Sequence, residues 1–196
     1  MNRQLYLDIN EFARSTGWAH GFMSSFALYG GVVLLGCSLI VAWWHARKVE
    51  SKRPGSVANV VWVGLATVLA VGLSQPINHL VREPRPYRTI PGVEVLVARA
   101  NDFSFPSDHA TVAGAVIVGL WLFSDSRPIR IFALVVGLFL VFARVYVGAH
   151  YPLDVIGGLA VGALTVVLFR PVGLRLAKFV VSTLDRMPIF SRLIRA

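Results

Sequence analysis

The chain has 196 residues, 56% of them hydrophobic and 15% charged, with a formal net charge of +9. A mean hydropathy of +0.65 excludes an ordinary soluble globule and leaves a single integral-membrane domain over residues 1–196. In such a chain a basic excess speaks to topology and to contact with anionic lipid, not to nucleic acid, which is not an expected partner.

The first twenty residues carry Arg3, Asp8, Glu11 and Arg14 and no unbroken apolar stretch. No cleavable signal peptide is expected, and the first membrane helix serves as the translocation signal. Leu5, Ile9 and Phe12 follow helical spacing opposite Arg3, Asp8 and Arg14, which predicts an interfacial helix before the first span. Five apolar segments reach or approach the roughly 20 residues that cross hydrocarbon: Phe22 to Trp44, Val57 to Leu80, Ala110 to Phe123, Ile129 to Phe142 and Leu153 to Phe169. The third and fourth are short, so their polar flanks are expected to join the same helices. Cys37, the only cysteine, excludes an intramolecular disulfide and reads as a small buried hydrophobe. After the last span, Arg175, Lys178, Arg186, Arg192 and Arg195 alternate with Leu174, Leu176, Phe179, Leu184 and Leu193, with Pro188 interrupting, which predicts a basic interfacial tail. The expected fold is all-α, a polytopic membrane helix bundle of five to six transmembrane helices with interfacial terminal helices.

Placing the connector His45 to Gly55, the turn Ser124 to Arg130 and the tail from Arg170 on one side gives that side 12 of the 19 Lys and Arg and only three of the 10 acids. The positive-inside rule puts this side in the cytoplasm. The other side holds the amino terminus and three polar clusters, and faces the periplasm or exterior of a plasma membrane.

Those clusters carry the chemistry, because charge is not idle at a membrane-embedded position. In Arg82-Glu83-Pro84-Arg85-Pro86 the prolines stop the second span and free Arg82, Arg85 and Arg88 to project at the surface. Phe105-Pro106-Ser107-Asp108-His109 opens the third span with Ser107 as N-cap, and a helix start is a ready anion site with His109 beside it. Arg144 is followed by Gly148, His150, Pro152 and Asp154, with Pro152 in the first turn of a new helix. His150 and Asp154, four apart, then meet at that helix end. An Asp that accepts Nδ1–H leaves Nε2 as nucleophile or base, and Gly148 lets Arg144 approach. Read singly, each cluster also fits a plain role: snorkelling arginines, a capping turn, a polar helix cap.

The order Arg-Pro, Pro-Ser-x-His, then Arg, five residues, His, three residues, Asp resembles the signature of the type 2 phosphatidic acid phosphatase superfamily, over Asn78 to Asp154. The stretches 103–109 and 144–155 are most similar to bacitracin-resistance-type undecaprenyl-diphosphate phosphatases. Two positions depart from the superfamily pattern. Asn78 stands where the family has Lys, so Arg82 or His79 would supply the charge, although a packing or interfacial role also fits His79; Ala143 stands where the family has Ser.

The resemblance implies a membrane lipid phosphatase that acts through a phosphohistidine. His150 attacks phosphorus, Asp154 orients it, and His109 protonates the leaving oxygen and then activates water. Arg85, Arg144 and Ser107, with Arg82 and Asp108, form the phosphate-binding group. Since phosphoryl transfer is mostly positioning and charge stabilisation, no metal and no cofactor are expected. Membrane lipids and a lipid phosphate or diphosphate are the expected partners. Phosphatidic acid and phosphatidylglycerol phosphate compete with the polyprenyl diphosphate as substrate. A vanadate-dependent peroxidase, which shares the motifs, and a non-hydrolytic phospholipid-binding protein are the other function classes.

Overall fold

A computed structural model describes residues 1–50 and 55–186, and among them every regular element is a helix, without strands. The elements are α1 (Asn2–Ser15), α2 (His20–Ser25), α3 (Gly31–Val49), α4 (Ser56–Val81), α5 (Pro86–Thr89), α6 (Asp108–Phe123), α7 (Arg127–Tyr146), α8 (Pro152–Leu168) and α9 (Arg170–Asp185). A 3-10 turn, Gly17–Ala19, precedes α2, and a π-helical turn, Phe26–Gly30, joins α2 to α3.

Each expected span has its helix, with adjusted ends. Among the described residues, Gly17–Val49, Ser56–Thr89 and Arg127–Tyr146 are each long and apolar enough to cross a membrane. Pro152–Leu168 and Arg170–Asp185 meet that test only as a pair bent by 69°. The polar flanks do join the short segments, since α6 begins at Asp108 and α7 runs from Arg127 to Tyr146. At 16 residues, α6 is still only about 24 Å long.

Packing follows membrane rules, with small residues between helices and large apolar side chains turned outward. A Cβ on Gly158 would lie 2.8 Å from Ala110 Cβ and 3.0 Å from Thr111 N, so α8 lies directly against α6. Leu35, Val116, Leu120 and Leu140 are buried between α3, α6 and α7. Ile40, Val68, Val135, Leu164 and Phe179 stay exposed on the bundle surface. Cys37 is exposed as well, so it faces the lipid side and is not the buried packing residue expected of it.

The terminal helices do different jobs. α1 buries Tyr6, Asn10 and Ala13, and it clamps the loops at one end of the bundle. The Asn10 side chain donates to Glu94 O (2.8 Å) and accepts from Glu94 N (2.9 Å). The Tyr6 hydroxyl donates to Gly148 O at 3.4 Å. α9 turns back along α4, where Gly173 fits against the Trp62 ring, and it carries Arg170, Arg175 and Lys178 of the expected basic tail. Pro188, Arg192, Leu193 and Arg195 lie outside the described residues.

Candidate active site

Alternation of the helices brings the end of α4, the start of α6, the end of α7 and the start of α8 to one end of the bundle, and with them all three clusters. The long connector 90–107 is fixed there by backbone and side-chain hydrogen bonds. Ser104 N donates to Glu83 O at 2.7 Å, and Leu96 N to Val147 O at 3.1 Å. Asn78 Nδ2 donates to Phe103 O (3.1 Å) and Phe105 O (3.0 Å). Where the family pattern has a cation, this chain has an amide that ties a loop in place.

His150 sits 2% exposed between two guanidiniums. Arg85 Nη1 and Arg144 Nη2 each lie 3.3 Å from its Nε2. Guanidinium nitrogens only donate, so Nε2 is the accepting, unprotonated nitrogen. The proton is therefore on Nδ1, which donates to Ser104 O at 2.9 Å. Gly148, with φ of +78°, makes the turn that delivers His150, and a Cβ there would meet Glu94 O and come within 3.3 Å of Val95 Cα.

The direct His150–Asp154 hydrogen bond expected from the spacing is replaced by a relay. Asp154 Oδ2 lies 3.8 Å from Nδ1, too far for a hydrogen bond. Instead the Ser104 hydroxyl donates to Asp154 Oδ2 and sits 3.4 Å from Nδ1. Oδ2 also accepts from Tyr151 N at 2.7 Å, closing the cap of α8. Asp154 is thus spent on the helix start and on Ser104, and its charge remains close to the imidazole.

Burial lowers the pKa of His150 to about 4, with Arg144 and Arg85 adding to the effect and Asp154 opposing it. The ring is neutral at neutral pH, and the Nε2 lone pair is unprotonated and accepts from both guanidiniums. Because the folded-state pKa lies below the ordinary 6.5, the ring stays neutral through pH 6 and becomes protonated only as pH falls toward 4. In protein labelled with 15N-histidine, His150 is expected to titrate well below 6.5, and protonation at the ordinary histidine value would contradict this environment.

Arg85 is 7% exposed, not projecting at the surface. It holds Asp102 through two bonds, Nε to Oδ1 at 2.7 Å and Nη2 to Oδ2 at 2.9 Å, while Nη1 donates to Ala149 O at 3.0 Å. Burial raises the Asp102 pKa, but the hydrogen bonds and charge of Arg85 outweigh it and leave the carboxyl below its usual range. Arg144 donates from Nη1 to Ala27 O at 3.2 Å. Its Nε, and the Ser107 hydroxyl, are buried without a hydrogen-bond partner among the described residues.

A cavity of about 400 Å³ opens beside these groups, lined among others by His150, Arg144, Arg85, His109, Asp108 and His79. Next to it lies an apolar groove of about 290 Å³ formed by Leu28, Tyr29, Val32, Val33, Val71 and Val112, which shares Asp108 and His109 with the cavity. His109 Nε2 donates to Leu28 O at 3.2 Å.

Three expected phosphate contacts come out differently. Arg82 does not line the cavity; it caps α4 in a left-handed conformation (φ 53°), with Nε donating to His79 O at 3.0 Å. Ser107 does take the N-cap position of α6, but its hydroxyl caps nothing and it is not among the cavity lining. Asp108 lines the cavity as an acceptor, taking bonds from Ser74 Oγ at 2.6 Å and Gln75 Nε2 at 3.2 Å. Sequence reasoning missed Asp102 and Ser104. Both lie in the connector between motifs, where no periodicity marks them; adjacency to Pro106-Ser107 was the only available signal.

Comparison with known proteins identifies the family. Residues 59–176 match the PAP2 superfamily model. The chain is 34% identical over 169 residues to the putative undecaprenyl-diphosphatase YbjG of Escherichia coli (strain K12), covering 83% of this chain and 77% of that protein. It is 33% identical over 134 residues to the undecaprenyl-diphosphatase BcrC of Bacillus subtilis (strain 168), spanning 67% of this chain and 64% of that protein's length. The crystal structure of Aquifex aeolicus LpxE has the same fold, with a TM-score of 0.63 at 23% identity over 87% of this chain and 94% of that one. With Arg85, His109, Arg144 and His150 of its signature around one cavity and a family match over more than half its length, the chain belongs to the PAP2 superfamily.

Proposed function

We propose that the protein hydrolyses a lipid diphosphate, most specifically a polyprenyl diphosphate to its monophosphate, at the external face of a plasma membrane. The single observation that carries the chemistry is His150 Nε2, unprotonated and flanked at 3.3 Å by both Arg85 and Arg144. Two guanidiniums crowded on one lone pair are the arrangement that a phosphoryl group relieves, by placing its oxygens between the arginines and its phosphorus on Nε2. The unpaired Arg144 Nε then offers a further donor to those oxygens.

His150 attacks the terminal phosphorus while the bridging oxygen leaves, taking the Nδ1 proton of His109 in its imidazolium form, which the second step regenerates. As the Nε2–P bond forms, the imidazole becomes cationic, and Asp154, through Ser104, stabilises that charge. Water, deprotonated by His109, attacks the phosphohistidine and releases phosphate. His109 borders both the cavity and the apolar groove, so the leaving lipid phosphate has its proton donor at the point where a hydrocarbon chain enters the groove. The two relatives named for undecaprenyl diphosphate favour that substrate over phosphatidic acid and phosphatidylglycerol phosphate.

The external placement rests on the charge asymmetry, with the site at the end opposite the basic connectors. The test is phosphate release by purified protein in EDTA from polyprenyl diphosphate, phosphatidic acid and phosphatidylglycerol phosphate, with sidedness read in cells by Ala98→Cys in a Cys37→Ala background. Ala98 is exposed, and it avoids the strain a side chain would meet at Gly92, whose φ is +73°. The polyprenyl diphosphate should give the highest kcat/KM, and an impermeant thiol reagent should label intact cells, after outer-membrane permeabilisation where there is one. Preference for a phosphatidyl substrate, or labelling only after lysis, would overturn this assignment.

A further inference from the structure

The first span lies outside the matched residues 59–176 and carries none of the signature residues, yet it reaches into the site at its one irregular turn. In Phe26–Gly30 the helix widens, and Gly31 N–H donates to Phe26 O, five residues back. Two successive carbonyls of this turn point at the site. Ala27 O accepts from Arg144 Nη1 at 3.2 Å, and Leu28 O accepts from His109 Nε2 at 3.2 Å. A π turn contains one residue more than the α turn it replaces, and such turns are enriched at functional positions because they redirect backbone groups.

We infer that the π turn Phe26–Gly30 is a positioning element of the active site, fixing the proton tautomer of His109 and the rotation of the Arg144 guanidinium. A carbonyl only accepts, so the bond to Leu28 O requires Nε2–H and leaves Nδ1 as the nitrogen that takes up and delivers the proton. Ala27 O anchors Nη1 of Arg144, and this turns Nη2 toward His150. The turn is held rigidly against the helix that supplies Arg144. A Cβ on Gly31 would lie 3.0 Å from Leu140 Cβ, so α3 and α7 are in close contact one residue beyond it.

The inference rests on His109 as proton donor of the proposed reaction, and its tests separate from that reading. Deleting Tyr29, which is 71% exposed, removes the extra residue and restores a regular helix without shifting the phase of either flank. With the best lipid phosphate substrate, the deletion should lower kcat at least tenfold. In protein labelled with 15N-histidine, neutral His109 of the unmodified chain should carry its proton on Nε2, and the deletion should abolish that preference. Unchanged kcat in the folded deletion variant would overturn the inference. So would neutral His109 protonated on Nδ1 in the unmodified chain, a measurement that involves no substrate and decides the matter even if the deletion variant fails to fold.

Discussion

His150→Ala is expected to reduce phosphate release by a factor of about 10⁴ or more while leaving the protein folded, because removing a covalent nucleophile removes the reaction path and not merely one contact. The fold should survive since His150 borders the cavity, where water can replace its ring, and since the turn that carries it is held by Leu96 N on Val147 O and Tyr6 on Gly148 O. The check is phosphate release alongside a thermal unfolding curve in the same detergent. Near-normal turnover by well-folded His150→Ala protein would remove the phosphohistidine step from the mechanism.

Arg144→Ala is expected to lower kcat by about 10²–10³, the usual cost of losing one preorganised donor to a developing oxyanion. Arg144→Lys should recover only a small part of the loss. The guanidinium donates to Ala27 O at 3.2 Å and approaches His150 Nε2 at 3.3 Å through two different nitrogens, and one ammonium on a flexible stem cannot hold both positions. Full activity in Arg144→Lys would mean that only the charge matters there. Steady-state kcat for the three proteins at equal folded fraction makes the comparison.

Most of the architecture was legible in the sequence because bilayer thickness turns apolar run length into a helix count, and the prolines at 84, 86 and 152 marked where helices stop and start. His150, His109, Arg85 and Arg144 were legible for a related reason, as charged or titratable groups at helix ends of an otherwise apolar chain. What was hidden are contacts between segments far apart in the chain. The i, i+4 spacing of His150 and Asp154 predicted a direct hydrogen bond, but the Tyr151 amide at 2.7 Å and the Ser104 hydroxyl claim Asp154 Oδ2. Arg82 looked equivalent to Arg85 in sequence. Their difference is conformational, since Arg82 takes the left-handed cap of α4 and Arg85 the extended position after Pro84, from which it reaches Asp102. The π turn was invisible because Phe26–Gly30 has the composition of any membrane helix.

Asp108 changes meaning most between sequence and structure. A carboxylate that already accepts from Ser74 and Gln75 cannot donate to phosphate. Its place at the junction of cavity and groove, beside His109, would put a carboxylate on the path of the leaving group in the proposed reaction. That placement suits expulsion of an anionic product such as a lipid monophosphate.

The central claim, a covalent phosphohistidine on the path of lipid diphosphate hydrolysis, is tested most directly by rapid quenching of the purified protein with polyprenyl diphosphate labelled on its terminal phosphorus. The account predicts label on the protein within the first turnover, acid-labile and base-stable, located at His150 and discharged at the rate of phosphate release. Label that appears only in free phosphate, with no protein-bound species at any quench time in the first turnover, would contradict it.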